Sequence, residues 1–201
     1  MSPNECASNV TYAVPSSKWL ASAYGEAVSP QDVFYYSYAI LYATAYRDRY
    51  VELLKTEFPR IPFTANLAAF RRLAELGKEL ADLHLLLSPK LDTPEVLFNG
   101  DGSGMIATGK KQGVRYVEQR GAIFINETQY FAPVGRDTWE YRIGGFQVCE
   151  KWLDDRKGRR LSLDDVRLFC RIASAVALTI RLQASVDAIY VGAMESIIHV
   201  E

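Results

Sequence analysis

Two stretches of this sequence concentrate side chains that recognise phosphates. In the first, Lys110, Lys111, Arg115 and Arg120 are opposed only by Glu118. In the second, Lys151, Arg156, Lys157, Arg159 and Arg160 are opposed by Asp154 and Asp155. By count, each carries a local charge of +3 in a chain whose formal net charge is −1. Gly109, Gly113, Gly121 and Gly158 lie beside them, where a missing side chain lets backbone approach a phosphate closely. Reading bases needs paired donors and acceptors, which arginine offers to guanine and glutamine or asparagine to adenine. Gln112, Gln119, Asn126, Gln129 and Gln147 supply such groups, interleaved with Tyr116, Tyr130 and Tyr141. The set expected to contact DNA is therefore Lys110, Lys111, Arg115, Arg120, Arg142, Gln147, Lys151, Arg156, Lys157, Arg159 and Arg160. On composition alone, solvated turns and a hairpin surface over core aromatics explain the same residues.

Catalytic chemistry finds no comparable support. Nucleophilic catalysis needs an activated Ser or Cys beside a base. The two histidines are His84, among Leu83, Leu85 and Leu86, and His199 near the C-terminus; neither context suggests a triad. GDGSG (100–104) lacks the GxxxxGK[ST] spacing of a phosphate loop and reads as a flexible linker. Asp154-Asp155 and Asp164-Asp165 read as helix-end solvation and capping. Cys6, Cys149 and Cys170 form no CxxC pair, which argues for a reducing compartment, and Cys149 and Cys170 read as small buried hydrophobes. With two histidines a structural zinc site is not expected. No catalytic residue, metal ligand or cofactor is assigned to this chain.

The elements that must position the basic residues follow from periodicity. Residues 1–28 read as an extended lead, expected to be the remnant of a preceding domain, with NVTYAV (9–14) strand-like. Ser29-Pro30 opens a helix with Val33, Phe34, Ile40 and Leu41 at helical spacing and a break near Ala43-Thr44. Two prolines in FPRIP end that pattern before 62. Leu67, Phe70, Leu73, Leu76, Leu80, Leu83 and Leu87 form a stripe along a second helix, about 65–87, long and narrow enough for a coiled-coil-like spacer. The division expected is thus a helical region (29–89), a flexible connection (90–113) and a hairpin with a helical C-terminal region (114–201). In the last, VRYVEQ and AIFINET flank Arg120-Gly121 as a β-hairpin. Phe146 to Arg156 reads as a helix, Lys157 to Arg160 as a basic turn, and Ser162 with Asp165 caps a long final helix. The fold class is α+β, mainly helical, with a small hairpin or sheet and two long packed helices.

Whole-chain properties set the frame. The chain has 201 residues, 49% of them hydrophobic and 12% aromatic, enough for one large domain or two small lobes. MSPNECASNV lacks the basic start and apolar core of a signal peptide, and charges interrupt the apolar stretches well short of a membrane span. A cytoplasmic protein without a membrane partner is expected.

Several ordered blocks resemble the C-terminal specificity region of type ISP restriction-modification enzymes. They are SPQDVFYYSYAILYATAYRDRYVELLKTEFPRIPF (29–63), LAELGKELADLHLL (73–86) and INETQYFAPVGRDTWEYRIGGFQVCEKWLDDRKGRRLSLDDV (125–166); NVTYAV resembles the approach to this region. The resemblance covers most of residues 9–185. It implies a target-recognition module for double-stranded DNA, working with an adenine-N6 methyltransferase domain in cis or in trans, with the long helices as spacer or docking elements. S-adenosylmethionine is expected only on that methyltransferase, because this chain holds no D/N-PP-Y/F motif, FxGxG-like loop, nuclease cluster or Walker motif. The alternative is a helical interaction or assembly module without DNA contact, which requires the leucine stripe to be exposed. A small enzyme would require a deep pocket with perturbed ionisable groups.

Overall fold

The computed structural model describes residues 17–109 and 112–198, so NVTYAV, Cys6, Lys110, Lys111 and His199 lie outside the described residues. Residues 17–82 and 181–198 make one compact unit and residues 83–180 the other.

The first unit contains α1 (Ser17–Tyr24), α2 (Pro30–Tyr42), α3 (Thr44–Arg49), α4 (Leu53–Thr56) and α5 (Leu67–His84). The Ser29 hydroxyl accepts from the Asp32 amide at 3.1 Å and Asp32 accepts from the Ser29 amide at 3.2 Å, a capping box with Pro30 in the first turn. Ala43, at ψ 124°, separates α2 from α3 where the break is expected. An alanine cannot cap a helix with its side chain, and residues from 181–198 do so instead. Gln183 Nε2 donates to the Tyr42 carbonyl at 3.1 Å, and Asp187 Oδ1 accepts from the Ala45 amide at 3.1 Å.

Tyrosine hydroxyls hold the proline-rich segment that follows. Tyr46 donates to the Arg60 carbonyl (2.9 Å), Tyr36 to that of Pro62 (2.7 Å) and Tyr24 to that of Thr64 (2.7 Å). The rings themselves belong to the core with Phe63, Phe70, Leu73, Leu76, Leu80 and Val186. The leucine stripe of α5 is thus interior packing rather than a solvent-exposed spacer, and the face an assembly module would need is covered. Its helix ends at His84, so Leu85 and Leu87 fall outside it and are exposed. A Cβ added at Gly77 would sit 1.8 Å from the Tyr35 carbonyl oxygen, so only glycine permits the approach of α5 to α2.

The second unit is built on a four-stranded antiparallel sheet in the order β1-β4-β3-β2, from β1 (Leu97–Asn99), β2 (Arg115–Val117), β3 (Ala122–Phe124) and β4 (Tyr130–Ala132). The expected hairpin is β2–β3, with Tyr116 opposite Ile123. Two further strands complete the sheet: β1 lies in the stretch read as a flexible connection, and β4 follows a four-residue chain reversal after Ile125, with Phe98 opposite Phe131. After the sheet come α6 (Arg136–Glu140), β5 (Arg142–Ile143), β6 (Phe146–Gln147), α7 (Val148–Asp154) and α8 (Leu163–Ala193). The helix expected from Phe146 begins at Val148, because Phe146 and Gln147 pair with Ile143 and Arg142. Ser162 and Asp165 form the predicted capping box of α8, with both backbone bonds at 3.0 Å. Phe169 of α8 packs on Phe131 (centroids 4.4 Å) and Trp152 (5.0 Å), joining sheet, α7 and α8 in one core. By length and composition α8 could cross a membrane. Its apolar side chains Phe169, Ala173, Val176, Val186 and Tyr190 are buried in the folded units, and Arg171 and Arg181 interrupt the run.

Candidate nucleic-acid interface

Residues 104–107, read from sequence as linker, form the scaffold of the basic turn. The Leu161 amide donates to the Gly104 carbonyl, the Ile106 amide to that of Arg159, and the Gly158 amide to that of Ile106, each at 2.9 Å, with Met105 bridged to Arg160. The same segment meets the sheet on its other side: the Ala107 amide donates to the Ile125 carbonyl at 2.9 Å and Asn126 Nδ2 to that of Met105 at 3.0 Å. Gln129, 3% exposed, fixes this junction by accepting at Oε1 from the Gly104 amide (2.7 Å) and from Asn126 Nδ2 (3.0 Å). The glycine-rich loop is therefore tied down, and both basic stretches attach to one strand-like segment.

The side chains divide by what they already touch. Arg115 Nη1 donates to the carbonyls of Gln112 (3.2 Å), Gly113 (3.1 Å) and Asn126 (3.2 Å), and its guanidinium lies 4.8 Å from the Phe124 ring centroid. Arg120 is exposed over the same ring at 5.6 Å. Glu118, the one opposing carboxylate, pairs with Arg136, whose guanidinium holds it below its ordinary pKa. Among the described residues, neither Arg115 nor Arg120 forms an ion pair.

Arg156 is largely structural: it stacks 3.7 Å from the Trp152 centroid, donates through Nη1 to the Trp152 carbonyl (3.0 Å) and lies 3.5 Å from Asp165. Lys151 pairs with Asp155, and Lys157 with Asp154 at 2.7 Å. Arg142 donates to the Gly145 carbonyl (2.9 Å) and to Gln147 Oε1 (3.3 Å), while Gln147 Nε2 donates to the Trp139 carbonyl (3.0 Å). Arg159 and Arg160 are exposed, and their side chains form no ion pair among the described residues. Arg160 also borders an open cleft of about 530 Å³ with Phe98, Gly104, Gln129 and Leu163.

Sequence reasoning missed Ile143 and Phe146, which are 56% and 63% exposed at the tip of β5–β6. It also missed Asn126 and Gln129 as the fixings of the basic turn, since an isolated amide side chain signals nothing about its bonding partners. The described histidine and cysteines are bonded or buried. His84 lies 3.0 Å from the Thr179 hydroxyl, and burial lowers its pKa. Cys149 and Cys170 are buried; burial pushes the Cys149 thiol up to about 12 and raises that of Cys170. Among the described residues, no group of three or more His, Cys, Asp or Glu side chains could hold a metal ion.

Residues 6–173 match the family model of the type ISP C-terminal specificity domain, which covers most of the chain. The chain belongs to that family. This specificity domain shares its fold with parts of much larger solved proteins. One is the DrdV–DNA complex, with TM-score 0.64 and 23% identity over 84% of this chain and 19% of that one. The type ISP restriction-modification enzyme LlaGI, as a nuclease-deletion mutant in complex with a DNA substrate mimic, gives TM-score 0.53 and 20% identity over 81% of this chain and 16% of that one. The ATP-dependent type ISP enzyme LlaBIII bound to DNA gives 0.58 and 18% over 89% and 12%. The specificity domain spans less than a fifth of the length of each of these proteins. Comparison with curated protein sequences gives no match.

Proposed function

We propose that this chain is the DNA target-recognition module of a type ISP-like restriction-modification system and does no chemistry by itself. Its membership of the specificity-domain family carries the reading. The geometry supports it: two basic stretches share one scaffold, and Arg120, Arg159 and Arg160 face solvent without a carboxylate partner among the described residues. Adenine methylation then belongs to an adenine-N6 methyltransferase domain, in cis or in trans, that binds S-adenosylmethionine, and the module works in the cytoplasm.

Fluorescence anisotropy with a randomised duplex library at low and moderate salt tests the reading. Binding that weakens steeply with salt, and that falls when Arg159 and Arg160 are both replaced by alanine, is the expected result. A chain that binds no duplex at low salt refutes it.

A further inference from the structure

Next to the basic turn, the sequence YRIGGFQV builds a small device that charge counting does not reveal. Strands β5 and β6 pair Ile143 with Phe146 and Arg142 with Gln147 around Gly144-Gly145. Directly opposite residues of an antiparallel pair share one face, and neighbours along a strand alternate. One face of the ribbon therefore carries Ile143 and Phe146, the other Arg142 and Gln147. Gly144 adopts φ +59°, which supplies the tight two-residue turn, and a Cβ at either glycine would meet nothing within 4 Å. The tip stands clear of the protein.

Two properties make this tip unlike ordinary loop surface. Two large apolar side chains side by side, each more than half exposed, lose hydrophobic stabilisation unless something covers them. Beside them, Arg142 is bonded among the described residues to neutral acceptors, the Gly145 carbonyl and the Gln147 amide, which fix its orientation without an ion pair. Gln147 is itself fixed by its bond to the Trp139 carbonyl. Lys151 lies 6.0 Å from the Phe146 ring centroid, on the helix that leads to the basic turn. Lys151 is itself paired with Asp155, so Arg142 is the cation that marks this tip, and an apolar pair beside it fits a polyanion with an apolar interior. The major groove of a DNA duplex admits a two-stranded ribbon, and apolar side chains also wedge between base steps.

We propose, resting on the DNA-recognition reading, that the β5–β6 ribbon enters a groove of duplex DNA, with Ile143 and Phe146 against the bases and Arg142, held by Gln147, toward a base edge or adjacent phosphate. The ribbon is then a sequence-discriminating element, and the basic turn supplies affinity that is blind to sequence.

The experiment compares wild type, I143A/F146A and R159A/R160A on a duplex selected from a randomised library and on a scrambled duplex of equal length. Unchanged thermal melts confirm folding, and F146W serves as a variant that keeps a stacking surface. The tip variant is expected to lose about 10-fold or more on the selected duplex, in line with the loss of one or two aromatic or apolar base contacts. Its affinity for the scrambled duplex and its salt slope should hold, because apolar contacts release no counterions. F146W should retain the preference. R159A/R160A should weaken binding to both duplexes. If I143A/F146A keeps the wild-type preference, or loses equally on both duplexes, the ribbon is not a reading element, while the DNA reading survives on the behaviour of R159A/R160A. Wild type that binds neither duplex at low salt removes the DNA reading and the ribbon proposal with it.

Discussion

Asn126 Nδ2 donates to the Met105 carbonyl at 3.0 Å, while Met105 pairs with Arg160, so one amide side chain couples the β2–β3 hairpin to the basic turn. The other end of the side chain is equally occupied: Oδ1 accepts from the amides of Thr128 (3.0 Å) and Gln129 (2.7 Å) and shapes the turn into β4. Asn126 is thus a structural residue inside a stretch whose amides looked like base readers.

Asn126→Ala removes this set of bonds at once. A net contribution of about 1 kcal/mol per bond, not fully additive, gives an expected loss of roughly 2–3 kcal/mol. Urea denaturation measures it. Asn126→Ala should also weaken duplex binding although it deletes no charge, because the basic turn loses its fixing. A variant as stable as wild type would show that the Gly104–Leu161 pairing holds the turn alone.

Arginines of one basic stretch should separate into two classes. Arg156 is packed on Trp152 and paired with Asp165, so Arg156→Ala loses stacking, an ion pair and a carbonyl bond. A drop of roughly 1–3 kcal/mol in stability is expected. Arg159→Ala touches none of these and should leave stability within about 0.5 kcal/mol. Arg159→Ala should instead lower the salt slope of duplex binding by about 1, if its guanidinium displaces one counterion from the duplex.

The sequence carried the long helices and their caps because those signals are local. Ser29-Pro30 and Ser162 with Asp165 each state a helix start within four residues, and the stripe through Leu73, Leu76 and Leu80 repeats over many turns. Strands β1 and β4 are no shorter than β2 and β3, but no turn signal joins them: Phe98 and Phe131 pair although thirty-odd residues, including β2 and β3, lie between them. The basic turn was legible as composition. That it shares a scaffold with the hairpin was not, since the bonds of Ile106 and Ala107 are backbone bonds that no side chain announces. Phe146 was misread as the start of a helix for a related reason: the turn glycines that place it on a ribbon also read as a simple helix breaker.

Gly77 offers a stability test of the first unit. Gly77→Ala would drive a Cβ to 1.8 Å from the Tyr35 carbonyl oxygen, and two helix backbones would have to separate. A loss of about 3 kcal/mol or more is expected, at or above the upper end for overpacking. Gly192→Ala, in the last turn of α8 with nothing within 4 Å of the new Cβ, should be neutral or stabilising by up to about 1 kcal/mol. Thermal or urea unfolding of the two variants distinguishes a packing requirement from a general cost of replacing helical glycines.

The thiols provide a further check on the second core. Cys149 lies in the core with Leu153 and Phe169, and burial pushes its pKa up to about 12, so little thiolate forms at neutral pH. Iodoacetamide should leave Cys149 and Cys170 unmodified in the native protein and label both in urea, as peptide mass spectrometry would read directly. Rapid native labelling of Cys149 would mean that the α7–α8 packing opens readily.

His84 gives the pH dependence. Burial lowers its pKa below the ordinary 6.5, because the charged ring loses water; its Nε2 lies 3.0 Å from the Thr179 hydroxyl. Between the folded value and 6.5 the unfolded chain binds more protons than the native one, so stability rises with pH across that window. The contribution is complete above the unfolded pKa and is lost as pH falls through 6.5 toward the folded value. The displaced carboxylates Glu118 and Asp165 titrate below their ordinary values of 4.5 and 3.8, outside this window. Urea midpoints measured from about pH 8 down to about pH 5 should therefore fall for wild type and fall less for His84→Gln, which keeps a hydrogen-bonding side chain but cannot be protonated. Parallel curves for the two proteins would show that His84 gains enough compensation when charged to titrate as it does in the unfolded chain.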